Sequence, residues 1–142
     1  SVTIDKLFDP DLPEVYADSN QIWQVFVNML INSLEYMNSN GHLIIKTGVN
    51  RDFNELNKRI DYVYIIFQDN GQGIKDESIE KIFDPFFTTK ASGTGLGLSV
   101  GYKIINSHNG RMMVNSQYGK GTKFMVEIPI DSTNIRKVSL NG

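Results

Sequence analysis

The chain has 142 residues, of which 40% are apolar and 21% charged, and its formal net charge is -2. This length suits one domain with a single hydrophobic core, and the near-neutral charge gives no reason to expect nucleic acid or an anionic membrane as a partner. The absence of cysteine excludes disulfides, zinc–thiolate sites and thiol catalysis, and no apolar run approaches the roughly 18 residues of a membrane span.

The first part of the chain predicts a strand at residues 2–7 and a long helix at residues 19–38. Asp18, with Gln21 three residues later, resembles a capping box at the start of the helix. The Asn40-Gly41 pair is a typical helix stop.

Apolar side chains occur almost all round this helix, which predicts that it is buried on most sides. One polar stripe follows the helical spacing of three and four residues. It consists of Gln21, Gln24, Asn28, Asn32 and Glu35. Because amides dominate it, the stripe favours a partly enclosed site over a solvated face.

The second part predicts two strands joined by a charged loop, a short helix, a second main helix and a final strand pair. The two strands are predicted at 43–49 and 62–68, with the loop at 50–61 between them. The short helix is predicted at 76–83, the second main helix at 96–108 and the final strand pair at 112–117 and 122–130. The strand pairs read as hairpins, so we expect an α+β two-layer sandwich, with a mixed sheet of about five strands packed on about three helices. Residues 1–130 would form this domain and residues 131–142 a polar tail or linker.

Two glycine-rich segments are the most informative feature of the sequence. DNGQGI at residues 69–74 directly follows the apolar run 62–67, and GTGLGL occupies residues 93–98. Glycine spacing of this kind lets main chain approach a ligand closely. Neither segment matches a P-loop, a Rossmann fingerprint or the protein-kinase signature set. The two segments therefore indicate a nucleotide pocket of another kind.

Four blocks occur in order along the chain: NMLIN at 28–32, DNGQG at 69–73, IFDPFFTTK at 82–90 and GTGLGL at 93–98. They resemble the N, G1, F and G2 boxes of the sensor histidine kinase catalytic domain, and GKGT at 119–122 resembles its last glycine element. The resemblance spans residues 4–129. It implies the Bergerat ATP-binding fold of the GHKL superfamily, which DNA gyrase and a heat-shock chaperone share, with ATP and Mg²⁺ as cofactors.

By this resemblance Asp69 accepts a hydrogen bond from the adenine amino group, a contact that gives base selectivity. Gly71 and Gly73 would let the loop pass close to the base, with Ile74 beside them in the ATP-binding segment. Thr122 would support Asp69 through water. The residues alone leave a turn aspartate and an ordinary strand threonine open as alternatives.

Asn32 resembles the family's Mg²⁺ ligand, since a neutral amide oxygen suits an ion that is shared with phosphate oxygens. Asn28, one turn earlier, is an amide where hydrolysing relatives have a glutamate. An amide is a poor general base, which favours phosphoryl transfer over ATP hydrolysis. The alternative for both residues is a polar stripe on a surface helix.

The resemblance places phosphate binding at the second glycine box, because backbone N–H groups at a helix start bind phosphate well. The members of this box are Gly93, Thr94, Gly95, Leu96, Gly97 and Leu98. Lys90 is the candidate for a γ-phosphate contact, and Phe87 and Tyr36 are candidates for further nucleotide contacts. Residues 75–92 would form a lid over ATP.

Two positions depart from the family pattern. Ser33 stands where the family has alanine, and Glu35 stands where it commonly has a lysine that helps to hold phosphate. A carboxylate there would repel phosphate unless it points away or joins the metal.

Neither of the two histidines, His42 and His108, is followed by the acidic residue of the usual acceptor motif. The phosphorylated histidine is therefore expected on a separate dimerisation domain, with a response regulator downstream. We expect the isolated chain to be monomeric and cytoplasmic, either in a soluble protein or in the cytoplasmic part of a membrane-bound sensor. The alternative is a nucleotide-binding regulatory module without phosphotransfer, which Glu35 keeps open. A conformational-cycle ATPase and an anti-sigma-type serine kinase fit the residues less well.

Overall fold

Residues 1–37, 40–85 and 97–130 are described in a computed structural model, together with the backbone of residues 137–138. The elements in chain order are β1 (Thr3–Leu7), β2 (Val15–Tyr16), α1 (Ser19–Tyr36), β3 (His42–Phe53), β4 (Arg59–Asp69), α2 (Asp76–Ile79), α3 (Gly97–Ser107), β5 (Arg111–Gln117), β6 (Gly121–Pro129) and β7 (Lys137–Val138).

The main sheet has five strands in the order β1-β3-β4-β6-β5. Only the β1–β3 pair is parallel, so the sheet is mixed. The helices α1 and α3 pack side by side on one face of this sheet. The predicted α+β two-layer sandwich is confirmed, and the core lies between the sheet and these helices.

Alternation along the strands explains the sidedness of the sheet. On β4, Val63, Ile65 and Phe67 are buried beneath the helices, and on β6 they are matched by Ile128, Val126 and Phe124. Because neighbouring strand residues point to opposite faces, this period-two pattern turns one face of each strand to the core.

The first helix is capped as predicted, with one difference in the cap. The Asp18 carboxylate accepts hydrogen bonds from the backbone N–H groups of Asn20 (3.0 Å) and Gln21 (3.1 Å). The N–H of Asp18 itself donates to Nε2 of His108 at 3.0 Å. The predicted capping box is therefore half right, because a residue distant in sequence takes the reciprocal position of the box.

The prediction that α1 is buried on most sides is wrong. Its core face carries Ile22, Val25 and Met29, whereas Trp23 is 70% exposed and Ile31 is 47% exposed. A helix that lies on one side of a sheet has a single face against it, and surfaces carry many apolar atoms that no neighbour covers.

The charged segment predicted as a loop at 50–61 is largely strand. β3 continues to Phe53 and β4 begins at Arg59, so a short turn at 54–58 joins them. The side chain of Asn54 closes this turn by accepting from the N–H groups of Leu56 and Lys58, both at 2.9 Å. The strand ends are polar because they extend past the core into water.

Three smaller features complete the fold. The short helix predicted at 76–83 ends at Ile79 and continues as turns. The second main helix and the final strand pair match their predicted bounds within one residue at each described end. A two-stranded sheet of β2 with β7 was not predicted, because two residues are too few to show a pattern. The assignment of residues 131–142 to a tail stays a prediction.

Candidate active site at the end of the central strand

Asp69 is the last residue of β4 and is buried, with only 6% of its surface exposed. Its Oδ1 accepts from the N–H of Gly71 at 2.9 Å and from the N–H of Thr122 at 3.3 Å. Among the described residues both hydrogen bonds to this carboxylate fall on Oδ1. The second oxygen, Oδ2, is therefore the acceptor that remains for a ligand.

Burial raises the pKa of the Asp69 carboxyl, and the N–H groups of Gly71 and Thr122 lower it by a smaller amount, so the net direction is upward. No lysine or arginine is among the causes of the shift. Within the described residues this carboxylate has no cationic partner, and it gains from any hydrogen-bond donor that reaches it. Perturbed groups of this kind are concentrated at functional sites.

Asp69 belongs to a polar row that crosses three strands on the helix-covered face of the sheet. Thr122 on β6 is paired with Asp69, and Ser116 on β5 is paired with Thr122. The Ser116 hydroxyl lies 2.8 Å from the Thr122 hydroxyl and accepts from the N–H of Ile74 at 2.8 Å. This row links the end of β4, the loop that follows it and the β5–β6 turn.

Sequence reasoning missed Ser116. The signal that could have found it is hairpin register. The predicted strands 112–117 and 122–130 flank a turn at 118–121, which sets Ser116 across from Thr122 once the strands are paired.

Two glycines are required by close approaches of the chain to itself. Gly73 has φ +75°, and a Cβ there would lie 2.4 Å from the carbonyl oxygen of Gln117. Gly121 has φ +141°, and a Cβ there would lie 2.1 Å from the carbonyl oxygen of Asp69. The loop after β4 thus packs on the β5–β6 turn. The predicted contacts of Gly71, Gly73 and Ile74 with a base stay predictions.

The same loop is also held to the start of β3. The N–H of His42 donates to the side-chain oxygen of Asn70 at 2.8 Å, and the N–H of Asn70 donates to the carbonyl of His42 at 3.3 Å. Backbone and side-chain bonds on both sides of the loop fix the position of the Asp69 carboxylate before any ligand arrives.

Asn28 and Asn32 share the partly buried part of the polar face of α1. The Asn28 side-chain amide donates to the carbonyl of Gly97, the first residue of α3, at 3.3 Å. Asn32 lies one turn further along α1 and is partly buried. The ring centroids of Phe26 on α1 and Phe67 on β4 are 6.4 Å apart, which places this part of α1 beside the last residues of β4. The end of β4 and the start of α3 at Gly97 therefore both lie beside α1.

The residues that depart from the family pattern lie on different sides of α1. Ser33 is fully buried in the core face, and its hydroxyl has no hydrogen-bond partner among the described residues. The side chain of Glu35, the last member of the polar stripe, is exposed. A buried position explains why a small residue is needed at 33.

Several predicted site residues lie outside the part of the chain that the structure describes. They are Phe87, Lys90, Gly93, Thr94, Gly95 and Leu96. The side chain of Tyr36 lies outside it as well. Gly97 and Leu98 are the first two residues of α3, and the first N–H groups of an α-helix have no partner within the helix.

The predicted metal ligand is the side-chain amide of Asn32, on the polar face of α1. No group of three or more His, Asp or Glu side chains in the described ranges is arranged to hold a metal ion. A single amide oxygen, as Asn32 supplies, fits an ion that is held mainly by water and phosphate.

An open cavity of about 520 Å³ lies elsewhere, beside the β3–β4 turn at the far end of β4 from Asp69.

Comparison with known proteins connects this site to a family. Residues 17–132 match the family described as histidine kinase-, DNA gyrase B- and HSP90-like ATPase. The chain is 40% identical over 120 residues to sporulation kinase E of Bacillus subtilis (strain 168), covering 84% of this chain and 15% of that protein. It is 41% identical over 123 residues to the signal transduction histidine-protein kinase AtoS of Escherichia coli (strain K12), covering 87% and 19%.

Solved structures show the same architecture. The catalytic domain of histidine kinase ThkA superposes with a TM-score of 0.74 at 35% identity, covering 91% of this chain and 79% of that one. The mycobacterial sensor histidine kinase MprB superposes with a TM-score of 0.75 at 20% identity, covering 93% of this chain and 84% of that one, which is a likeness of fold alone.

No helix among the described residues is long and apolar enough to cross a bilayer.

Proposed function

The chain belongs to the histidine kinase-, DNA gyrase B- and HSP90-like ATPase family, and from this premise we propose that it is the ATP-binding catalytic domain of a sensor histidine kinase. It transfers the γ-phosphate of ATP to a histidine on a separate dimerisation domain. The observation that carries the proposal is the buried Asp69 carboxylate, whose Oδ2 is left for a ligand at the end of β4.

Adenine is the base that suits this carboxylate. Its exocyclic amino group is a donor, and a carboxylate oxygen that is desolvated and held in place is a strong acceptor. A buried acceptor that stays unmatched is costly, so a base with a carbonyl at the same position is rejected. Asp69 therefore provides recognition of ATP over GTP.

The polar face of α1 supports the phosphate end of the site. We assign Asn32 to Mg²⁺, which would neutralise charge on the triphosphate during transfer. Asn28 holds the carbonyl of Gly97 and so keeps the start of α3 beside that face. As an amide it cannot accept a proton from water, which favours transfer over hydrolysis. Lys90 and residues 93–98 are assigned to the phosphates by family resemblance.

The two histidines of the chain are poorly placed to accept phosphate. His108 is buried and both of its ring nitrogens are engaged, Nε2 with the N–H of Asp18 and Nδ1 with the carbonyl of Ile104 at 2.8 Å. The side chain of His42 is 41% exposed, and its Nε2 lies 2.7 Å from a carboxylate oxygen of Asp5. An acceptor histidine on another domain is consistent with both arrangements.

The chain spans about 15% to 19% of the length of the two curated relatives described above. We therefore propose, as properties of a longer protein, a histidine-bearing dimerisation domain, a downstream response regulator and a cytoplasmic location. The isolated domain is expected to be monomeric.

Calorimetric titration of Mg-ATP into the chain tests nucleotide binding. We expect saturable binding that weakens when Mg²⁺ is chelated, and a smaller dependence on Mg²⁺ in Asn32→Ala. Folded wild-type protein that does not bind Mg-ATP would overturn the proposal. Transfer is tested with γ-labelled ATP and the histidine-bearing domain of the parent protein. If the chain binds ATP but no acid-labile label appears on that domain, the chain is a nucleotide-binding module and not a kinase domain.

A further inference from the structure

The hydroxyl of Ser116 is the centre of a small hydrogen-bond network behind Asp69. It lies 2.9 Å from the carbonyl oxygen of Gly121, 2.8 Å from the hydroxyl of Thr122 and 2.8 Å from the N–H of Ile74. Gly121 and Thr122 are the first two residues of β6, and Ile74 belongs to the loop that follows β4. One hydroxyl therefore ties together the segments that surround the buried carboxylate.

The direction of each hydrogen bond follows from the partners. A carbonyl oxygen can only accept, so the Ser116 hydroxyl hydrogen points to Gly121. A backbone N–H can only donate, so Ile74 donates to Ser116. A serine hydroxyl has one hydrogen and two lone pairs, so its contact with Thr122 must use the hydrogen of Thr122. The Thr122 hydroxyl is thereby oriented with its hydrogen on Ser116.

This orientation decides what Thr122 can offer to a ligand. With its hydrogen held by Ser116, the Thr122 hydroxyl presents only lone pairs. Its strand neighbour Asp69 also presents only acceptors, because an ionised carboxylate has no hydrogen to donate. This corner of the site is therefore suited to donors, such as an exocyclic amino group or a bridging water.

We propose that Ser116 is a positioning residue for base specificity: it holds the Thr122 hydroxyl as an acceptor and thereby disfavours bases with a carbonyl in place of the adenine amino group. This inference rests on the proposed ATP-binding function. Without the Ser116 hydroxyl, Thr122 is free to rotate and donate its hydrogen. It can then satisfy a carbonyl acceptor, which weakens the discrimination.

The test compares binding of ATP and inosine triphosphate, which carries a carbonyl where adenine carries its amino group. We expect wild-type protein to prefer ATP, and Ser116→Ala to reduce the ratio of the two dissociation constants by about tenfold, as expected for one hydrogen bond. Ser116→Thr, which keeps a hydroxyl, should restore the ratio. Ser107→Ala is the matched control, because the Ser107 hydroxyl also donates to a backbone carbonyl, that of Ile104 at 2.7 Å.

A second variant protects the test against misfolding of Ser116→Ala. Thr122→Val removes the oriented hydroxyl, keeps the side-chain shape and leaves the N–H bond to Asp69 in place. It should also lower the ratio. Wild-type selectivity in both variants would overturn the role of Ser116 while leaving ATP binding intact. Failure of the wild-type protein to bind ATP would instead overturn the proposed function.

Discussion

We predict that Asp69→Asn weakens ATP binding but raises the free energy of unfolding of the ligand-free domain at neutral pH. The asparagine side chain has nearly the same shape, and its oxygen can keep the two hydrogen bonds that Oδ1 now accepts from Gly71 and Thr122. The other oxygen is replaced by an NH₂ group. The substitution thus removes a buried charge and turns the acceptor that faces the ligand into a donor.

The effect on ATP binding should be large. A hydrogen bond to a charged group contributes about 1.5–3 kcal/mol, and the new NH₂ group would face the adenine amino group with two donors and no acceptor. A loss of about 3 kcal/mol corresponds to an affinity lower by about two orders of magnitude. Titration calorimetry measures this change directly, with the exposed Asp11→Asn as the matched control.

The effect on the free energy of unfolding should have the opposite sign. Burial raises the pKa of Asp69 above its ordinary value of 3.8, so at neutral pH the folded protein holds a charge that it disfavours. Removing that charge should make the ligand-free variant more stable than the wild type at neutral pH.

The stability difference should also depend on pH. Because the pKa of Asp69 is higher in the folded than in the unfolded protein, protonation of this carboxyl stabilises the folded state. This stabilisation is complete below the ordinary pKa of 3.8 and is lost as the pH rises through the higher pKa of the folded state. The advantage of Asp69→Asn is therefore largest above that folded pKa and shrinks as the pH falls towards 3.8. Urea unfolding of both proteins across this range measures it.

Two results would refute this reasoning. Wild-type ATP affinity in Asp69→Asn would show that the carboxylate does not contact the base. A ligand-free variant that is less stable than wild type at neutral pH, with a difference independent of pH, would show that the buried charge is not disfavoured in the folded state.

Further substitutions test other parts of the structure. Ser33→Ala should raise the free energy of unfolding by about 1 kcal/mol, measured by urea unfolding, because it removes a buried hydroxyl without a described partner. Gly121→Ala should lower it by about 2 kcal/mol or more and weaken ATP binding, since its Cβ would meet the Asp69 carbonyl. Gly119→Ala is the control: its φ of +88° is strained for alanine, but nothing lies within 4 Å of the added Cβ, so the loss should be smaller and binding unchanged. His108→Phe should cost about 1–3 kcal/mol by leaving the N–H at the start of α1 unpaired, and a stability equal to wild type would contradict that cap.

Much of the fold could be predicted because each of the longer strands and helices has a local signal. The apolar run before Asp69 predicted the central strand, and Asp18 predicted the start of α1, where its carboxylate does cap the helix. These features depend on spacing of three, four or two residues, which a sequence shows directly. The enclosure predicted for the polar stripe of α1 is right only in part: Asn28 and Asn32 are partly buried, whereas Gln21, Gln24 and Glu35 are exposed.

The errors arose where neighbours in space decide the outcome. Trp23 and Ile22 are adjacent and both apolar, yet Trp23 is 70% exposed and Ile22 is 2% exposed. Apolar residues nearly all round α1 gave no means of telling which side would meet the sheet. Residues 50–53 looked like part of a charged loop because strand extension past the core leaves no apolar alternation to detect.

The sequence by itself determined the order of the main strands and helices along the chain, the positions of the glycine-rich segments and the family to which they point. Only the tertiary structure decided how the residues of the candidate site are brought together. It paired β4 with β6 and β6 with β5, so that Asp69, Thr122 and Ser116 form one row. Hydrogen-bond direction and burial depend on groups that are distant along the chain, and only folding brings those groups within reach of one another.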